Sequence, residues 1–124
     1  MANEIRAQLK LLYNPVDGDD ISWPLIDLFI DQVGKDFTQG TQEIGVTEEI
    51  IIVSADIGTQ GLWLIINLDS TNFVEIGKVK VSSDGDALSM KVKPGEFMFG
   101  RATSALYAKA DTSACTIRFV CFEL

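Results

Sequence analysis

Apolar and polar side chains alternate along much of the chain, and a period of two is typical of β-strands with one buried face. Residues 5–11 begin this pattern, because every second side chain from Ile5 to Leu11 is apolar. Residues 88–93 repeat it. There the alternation predicts core positions at Leu88, Met90 and Val92 and solvent positions at Ser89, Lys91 and Lys93.

Two apolar runs, 48–53 and 61–68, depart from the alternation because apolar residues occupy consecutive positions. Such runs are typical of strands that are covered on both faces. The polar stretch 33–47 ahead of them is expected to be extended. Tight turns are expected at its glycines, Gly34, Gly40 and Gly45.

Turn signals separate the predicted strands. Residues 84–86, Asp-Gly-Asp, predict a hairpin because Asp-Gly favours the primed turns that match strand twist. Residues 94–95, Pro-Gly, predict a type II turn. Further turns are expected at 14–20, 58–61 and 69–72, where Asp, Asn, Ser, Thr and Gly cluster.

The segment 21–33, ISWPLIDLFIDQV, allows two interpretations. In one, Pro24 opens a helix that ends at Gly34. In the other, alternate residues of 26–31 face inward as a strand. We favour the strand, because the segments around it are strand-like and it contains β-branched and aromatic residues.

These elements together predict an all-β fold. We count about nine strands, with turn signals roughly every ten residues and no convincing long helix. This arrangement is typical of an antiparallel β-sandwich of the jelly-roll kind. The length of 124 residues suits a single β-sandwich domain over 1–124.

The chain is acidic, with 10 Lys and Arg against 18 Asp and Glu and a net charge of −8. Nucleic-acid binders need a concentrated basic face, so we expect no nucleic-acid partner. The count of His is 0, which removes the commonest general base and the commonest metal ligand. We therefore expect no enzyme, no catalytic residue, no metal site and no cofactor.

Both cysteines, Cys115 and Cys121, fall in the last predicted strand. At ~3.3 Å per residue they lie roughly 20 Å apart, too far to pair, so buried core thiols are expected. Residues 1–10 lack the apolar core of a signal peptide. No apolar run approaches the ~18 residues of a membrane span, so we expect no membrane partner. We expect the protein to be made in a reducing cytoplasm.

Charge and hydropathy are unevenly distributed. Residues 1–78 hold 13 acidic and 4 basic side chains, whereas residues 79–124 hold 5 acidic and 6 basic ones. One interpretation is two faces of unlike potential; the other is that the halves interleave in the sheets and the difference averages out. The mean hydropathy of +0.19 is high for so acidic a chain. It indicates either surface buried by other copies or a well-covered two-layer domain.

The aromatic residues suggest a possible ligand class, since flat rings stack on sugar faces. Trp63 lies inside an apolar run and is expected in the core. Trp23, beside Pro24, is the better candidate for an exposed contact. A carbohydrate-binding β-sandwich module that uses Trp23 or Tyr107 is therefore one alternative function.

Three stretches of the second half, 61–79, 91–102 and 105–124, resemble small structural proteins of tailed bacteriophages. The residues that carry the resemblance are Asn67, Leu68, Asp69, Asn72, Phe73, Val74, Gly77, Pro94, Gly95, Glu96, Arg101, Tyr107, Ala108, Ala110 and Asp111. The resemblance implies a virion component with a β-sandwich body. It implies no catalytic residue.

The motif residues have structural interpretations as turns: Asp69, Asn72, Pro94, Gly95, Glu96, Arg101 and Asp111. Asp69 and Asn72 are expected to close an Asx turn between two strands. Pro94 and Gly95 are expected to fix a second turn, which Glu96 caps unless it pairs with Arg101.

The sequence thus predicts a bacteriophage virion structural protein, and we favour a head decoration or cement protein that stabilises the capsid lattice. Its expected partners are the major capsid protein or other virion proteins and further copies of itself, with a trimer favoured. Its expected location is the virion, after assembly in the host cytoplasm. A tail- or fibre-associated virion component is a further alternative.

Overall fold

A computed structural model describes residues 5–32, 35–77, 88–102 and 105–124. Within these ranges the chain forms twelve β-strands and no helix. The strands are β1 (Ile5–Leu9), β2 (Leu12–Tyr13), β3 (Ile21–Ser22), β4 (Ile26–Ile30), β5 (Phe37–Ile44), β6 (Glu49–Ile50), β7 (Gln60–Asn67), β8 (Val74–Gly77), β9 (Leu88–Val92), β10 (Phe97–Arg101), β11 (Tyr107–Ala110) and β12 (Cys115–Glu123). The predicted all-β class is confirmed.

The contacts within the chain group into two compact units, Met1–Val33 and Gly34–Leu124. The first unit is built from two antiparallel ladders, in which β1 pairs with β4 and β2 pairs with β3. Between the ladders the Trp23 amide donates to the Leu11 carbonyl at 3.0 Å. The described part of this unit is therefore one long hairpin, here called the hairpin arm. The strand interpretation of 21–33 is confirmed over its described residues, and the helix interpretation is wrong. The inward position predicted for alternate residues is wrong for Ile26 and Leu28, which are each 42% exposed, because a two-stranded ladder has no core of its own to cover them.

The second unit is a sandwich of two four-stranded sheets, in which every pairing is antiparallel. The larger sheet has the order β10-β7-β12-β5 and the smaller one has the order β6-β11-β8-β9. The nine-residue strand β12 lies inside the larger sheet, paired on one side with β5 and on the other with β7. The predicted β-sandwich is confirmed.

The core fills the space between the two sheets. The larger sheet contributes Ile44, Trp63, Ile65, Cys115, Ile117, Phe119 and Cys121. The smaller sheet contributes Val74, Ile76, Val92, Ala108 and Ala110. In β12 the buried residues occupy alternate positions, which is the pattern of a strand with one face in the core.

The larger sheet's edge at β5 is connected to the segment that follows β6. The Gln42 side chain donates from Nε2 to the Ile50 carbonyl at 3.0 Å, and its Oε1 accepts from the Ile52 amide at 2.9 Å. Farther along, the Ser54 amide donates to the Thr38 Oγ1 atom at 2.9 Å. Side chains of β5 therefore provide hydrogen-bond partners for backbone groups of residues 50, 52 and 54.

Burial corrects the prediction for the apolar run 48–53. Ile51 is buried, but Ile50 and Ile52 are 43% and 66% exposed, so only one face is covered. The physical reason is that alternate residues of an extended segment face opposite sides, and only the side of Ile51 meets the core between the two sheets. The run 61–68 fits better, because Trp63 and Ile65 are buried on the core face, while on the outward face Leu62 is buried and Leu64 and Ile66 are half-buried.

Two further predictions are corrected. Met90 is 52% exposed although its neighbour in the alternation, Val92, is buried. Met90 lies on β9, the outermost strand of the smaller sheet, where a neighbouring strand covers only one side. Gly40 does not form a turn, since it lies within the continuous strand β5. The hairpin predicted at 84–86 and the turn at Gly34 lie outside the described residues.

Candidate interaction surfaces

The outer face of the larger sheet carries a continuous apolar surface. Side chains alternate across a strand, so the residues between the core positions all point outward. Strand register places Phe99 beside Leu64 and Leu64 beside Val120. The outward apolar residues that reach solvent, here called the outer patch, are Phe37, Leu64, Ile66, Phe97, Phe99, Val120 and Phe122. Leu62 points to the same face but is buried.

The outer patch is open to solvent. Phe97 is 57% exposed, Phe37 53% and Phe99 39%. Leu64 and Ile66 line a shallow depression in the middle of the sheet together with Arg118 and Val120. Large apolar surfaces are uncommon on monomeric soluble proteins and are enriched at interaction sites, which makes the outer patch the candidate interaction surface.

Two arginines stand on the same face as the outer patch. Arg118 lies beside Ile66 in the register of β12 and β7, and Arg101 lies beside Leu62 in the register of β10 and β7. Both arginines are exposed. The apolar surface therefore has positive charge within it and at its border.

The hairpin arm provides a second apolar surface. One face of its β1–β4 ladder pairs Ile5 with Ile30, Ala7 with Leu28 and Leu9 with Ile26. Ile5 is buried and Ile30 half-buried, so the solvent-exposed part of this face lies toward Leu9 and Ile26. Leu9, Ile26 and Leu28 are 45%, 42% and 42% exposed, and here they are called, together with Ala7, the arm's apolar face. An isolated two-stranded hairpin is marginally stable in water. Covering this face would therefore stabilise the arm.

The opposite face of the ladder is polar. Arg6 donates to both carboxylate oxygens of Asp27, from Nε at 2.9 Å and from Nη2 at 2.7 Å. The Arg6 guanidinium also lies 5.1 Å from the centroid of the Phe29 ring. The hydrogen bonds from Arg6 hold the pKa of Asp27 below its usual range. The arm is thus amphipathic, with a charged pair on one side and aliphatic residues on the other.

Beyond the first ladder the arm exposes further large apolar side chains. Trp23, the expected exposed contact, is 53% exposed, and its carbonyl accepts from the Lys10 Nζ atom at 2.8 Å. Tyr13 is 55% exposed. The turn that joins β2 to β3 is acidic, since it contains the exposed residues Asp17, Asp19 and Asp20.

The turn residues predicted at 69–72 form a network of hydrogen bonds. The Asp69 Oδ2 atom accepts from the amide of Asn72 at 2.7 Å and from the amide of Thr71 at 3.0 Å. These two bonds stabilise the carboxylate, so they lower the pKa of Asp69. Asp69 and Asn72 thus close the turn between β7 and β8.

The same turn is joined to the turn between β11 and β12. The Asn72 side chain accepts from the Thr112 hydroxyl at 2.8 Å and donates to the Ser113 hydroxyl at 2.7 Å. The Asp111 amide donates to the Phe73 carbonyl at 3.1 Å. Asp111 and Asn72 therefore connect two turns at the same end of the sandwich.

Asn67 is the buried polar residue at the centre of this region, and sequence reasoning gave it no role of its own. Its Nδ2 atom donates to the Val92 and Asn72 carbonyls, both at 2.9 Å, and its Oδ1 atom accepts from the Asp69 amide at 2.9 Å. Its backbone bonds to Glu96 and Gly95, each at 3.1 Å. The signal in the sequence was a lone polar residue within the apolar run 61–68.

The predicted turn at Pro94 and Gly95 forms in the structure. Gly95 has a φ of +79°, and the Glu96 amide donates to the Lys93 carbonyl at 2.9 Å. The Glu96 Oε1 atom accepts from the Lys93 amide at 3.0 Å, so Glu96 caps the turn. Arg101, the other partner considered for Glu96, lies at the far end of β10 with its side chain on the outer face.

Both cysteines are free and buried in β12, as expected of core thiols. Burial raises the pKa of each thiol, and for Cys115 the charges of Asp69 and Asp111 raise it further. Among the described residues, no group of three or more Cys, Asp and Glu side chains is placed to hold a metal ion. No helix in the described ranges is long and apolar enough to cross a membrane.

No protein-family model matches the chain, and a search of curated proteins finds no match either.

Proposed function

We propose that this protein is a structural component of a bacteriophage virion, and specifically a head decoration or cement protein. The observation that carries the proposal is the outer patch on a sandwich whose inner face is already fully packed. A surface of this composition suits contacts between copies, since covering apolar area stabilises an assembly. The resemblance of 61–79, 91–102 and 105–124 to tailed-phage structural proteins supports the same class.

The proposed role is mechanical reinforcement of the capsid shell. Copies associate through the outer patch, with a trimer favoured, and the oligomer sits on the capsid lattice beside the major capsid protein. Each contact is modest, but many copies bound to one lattice act together through multivalency. The decorated shell then resists the internal pressure of packaged DNA.

Light scattering and co-sedimentation with purified capsids test this proposal. We expect an oligomer in solution and capsid-bound protein in the pellet. The variant Phe99→Ser removes an outer-patch side chain and is expected to weaken association. Its matched control is Ile52→Ser, which removes an exposed aliphatic side chain from outside the outer patch. A strict monomer at high concentration that also fails to bind capsids would contradict the proposal.

A tail or fibre location within the virion is the alternative of the same class. Mass spectrometry of separated heads and tails distinguishes the two locations. A decoration protein is recovered with heads, and a tail component is recovered with tails.

The exposure of Trp23 keeps a carbohydrate-binding module as a second candidate function. A half-exposed indole offers a flat apolar face for sugar stacking. A glycan array with the intact protein and the Trp23→Ala variant tests it. Sugar signals that disappear in the variant favour the module, and an array without signal removes it.

A further inference from the structure

The arm's apolar face needs a covering surface, and the outer patch needs one too. The described arm residues form only two-stranded ladders, and Leu9, Ile26 and Leu28 each expose more than 40% of their area. When two copies associate, an exposed apolar surface of one copy can be buried against a different exposed apolar surface of the other. Such a contact stabilises the hairpin and buries the phenylalanines of the sheet at the same time.

The outer face of the larger sheet is wide enough to receive the arm. The larger sheet has four strands, so its outer strands lie roughly 14 Å apart at about 4.8 Å per strand. The arm has two strands and fits within that width. Sheets pack face to face through interdigitated side chains. The arm would then form a third layer on the sandwich, with Leu9 and Leu28 against Leu64 and Val120.

The two surfaces also match in charge. The described arm residues hold five acidic and two basic side chains, and three of the acidic ones are Asp17, Asp19 and Asp20 in the turn. The outward residues of the larger sheet include two exposed arginines, Arg101 and Arg118, and also the exposed Glu43 near the end of β5, so basic side chains outnumber acidic ones among them. Opposite charges at the rim of an apolar contact fix its orientation and speed its formation.

We infer that the hairpin arm of one copy lies on the outer patch of a second copy. This inference deepens the proposed assembly function and rests on it. Every copy then gives one arm and receives one. Two copies can exchange arms about a two-fold axis, and three or more copies can pass them around a ring when the rotation between copies permits, as in the favoured trimer.

Disulfide trapping between two differently labelled chains tests the inference directly. One chain carries Leu28→Cys and the other carries Phe99→Cys; the native thiols are buried and do not compete. After mixing and mild oxidation we expect a covalent dimer that contains one chain of each kind. The matched control replaces Phe99→Cys with Ile52→Cys, which lies outside the outer patch, and is expected to give no such dimer.

Three other results overturn the inference. Dimers formed only between two Leu28→Cys chains would mean that arms pair with arms. A chain that carries both new cysteines and closes its disulfide internally, even when diluted, would mean that the arm lies on its own sandwich. The absence of any mixed dimer at concentrations where the wild-type protein is oligomeric would also reject the contact.

Light scattering provides a second measurement without new cysteines. Leu28→Ser is expected to weaken self-association by about tenfold or more, since burial of one leucine supplies that much. Gln8→Ser, on the polar face of the same ladder, is the matched control and is expected to leave it unchanged. Arg118→Glu is expected to weaken association most at low salt, where the charges are least screened. If Leu28→Ser and Arg118→Glu both associate like the wild type, the inference is rejected.

The failure of the inference and the failure of the proposed function are distinguishable. Wild-type protein that is oligomeric and binds capsids, without any arm-to-patch disulfide, retains the function and rejects this contact. Wild-type protein that is monomeric and binds no capsid rejects both.

Discussion

Substitution of Asn67 by Ala is expected to be the most destabilising single polar truncation in the described sandwich. The side chain is fully buried and makes three hydrogen bonds. Truncation leaves two carbonyls and one amide without their partner. It also removes the link that joins β7 to Val92 at the end of β9.

The magnitude follows from the burial of the three partners. A buried polar group left without a hydrogen bond costs about 1–3 kcal/mol. The bond to Val92 is buried, whereas the bonds to Asn72 and Asp69 are partly buried, so water can replace part of those two. The expected loss of unfolding free energy is about 3–5 kcal/mol, a large share of the ~5–15 kcal/mol typical of a whole domain.

Urea denaturation followed by tryptophan fluorescence measures this loss. Trp63 is buried in the sandwich core and reports its unfolding, while Trp23 is exposed on the hairpin arm. A Trp23→Phe background therefore isolates the core signal. The matched control is Asn14→Ala, because Asn14 is an exposed asparagine, and it is expected to change stability by less than about 0.5 kcal/mol.

Asn67→Asp tests the hydrogen-bond donors of Nδ2 separately from the size of the side chain. The aspartate keeps the size of the side chain and one acceptor oxygen, but it places a second acceptor against the Val92 and Asn72 carbonyls. We expect it to destabilise at neutral pH and to recover part of the loss as the carboxyl becomes protonated. A loss below about 1 kcal/mol for Asn67→Ala would refute the claim that these bonds hold the two sheets together.

Three further outcomes are expected. Gly95→Ala should lower the free energy of unfolding by about 1 kcal/mol, because a φ of +79° strains any L side chain even though the added Cβ meets no atom. Gly100→Ala is the control, since its Cβ also has open space and its φ is not positive. It should be close to neutral in the same urea titration. Asp69 should make the free energy of unfolding fall in acid. Its folded pKa lies below the ordinary 3.8, so its contribution is present above that value and is lost as the pH drops through the lowered pKa. In thermal unfolding at pH 2–5, an Asp69→Asn variant should therefore lose less stability with falling pH than the wild type. Cys115 and Cys121 should react with a thiol reagent only after denaturation, since both are buried with raised pKa; rapid reaction of the folded protein would contradict the described core.

Strand periodicity predicts this fold well because the core is built by alternation. In β12, Ile117 and Phe119 enter the core while Arg118 between them points outward, and the sequence shows that order directly. The turn at Gly95 is equally local, because positive φ is a property of a single residue. Such features depend on neighbours in the chain and are therefore visible in the sequence.

Exposure at sheet edges and on outer faces was not predictable in the same way. Met90 and Ile52 have the sequence context of core residues, but strand order leaves them at the margin of a sheet or outside it. The outer patch arises because β10, β7, β12 and β5, distant in the chain, become neighbours. Pairing over such distances is set by the whole fold, so a single strand's pattern cannot reveal it.

The Gln42 bridge limits how the segment around β6 can aggregate. An open strand edge offers free amides and carbonyls to any passing strand, and that is the usual route to fibrils. Here the amides of Ile52 and Ser54 and the carbonyl of Ile50 are already occupied by side chains of β5. These three backbone groups are therefore not free to pair with a strand of another chain, so backbone zippering is disfavoured along this segment.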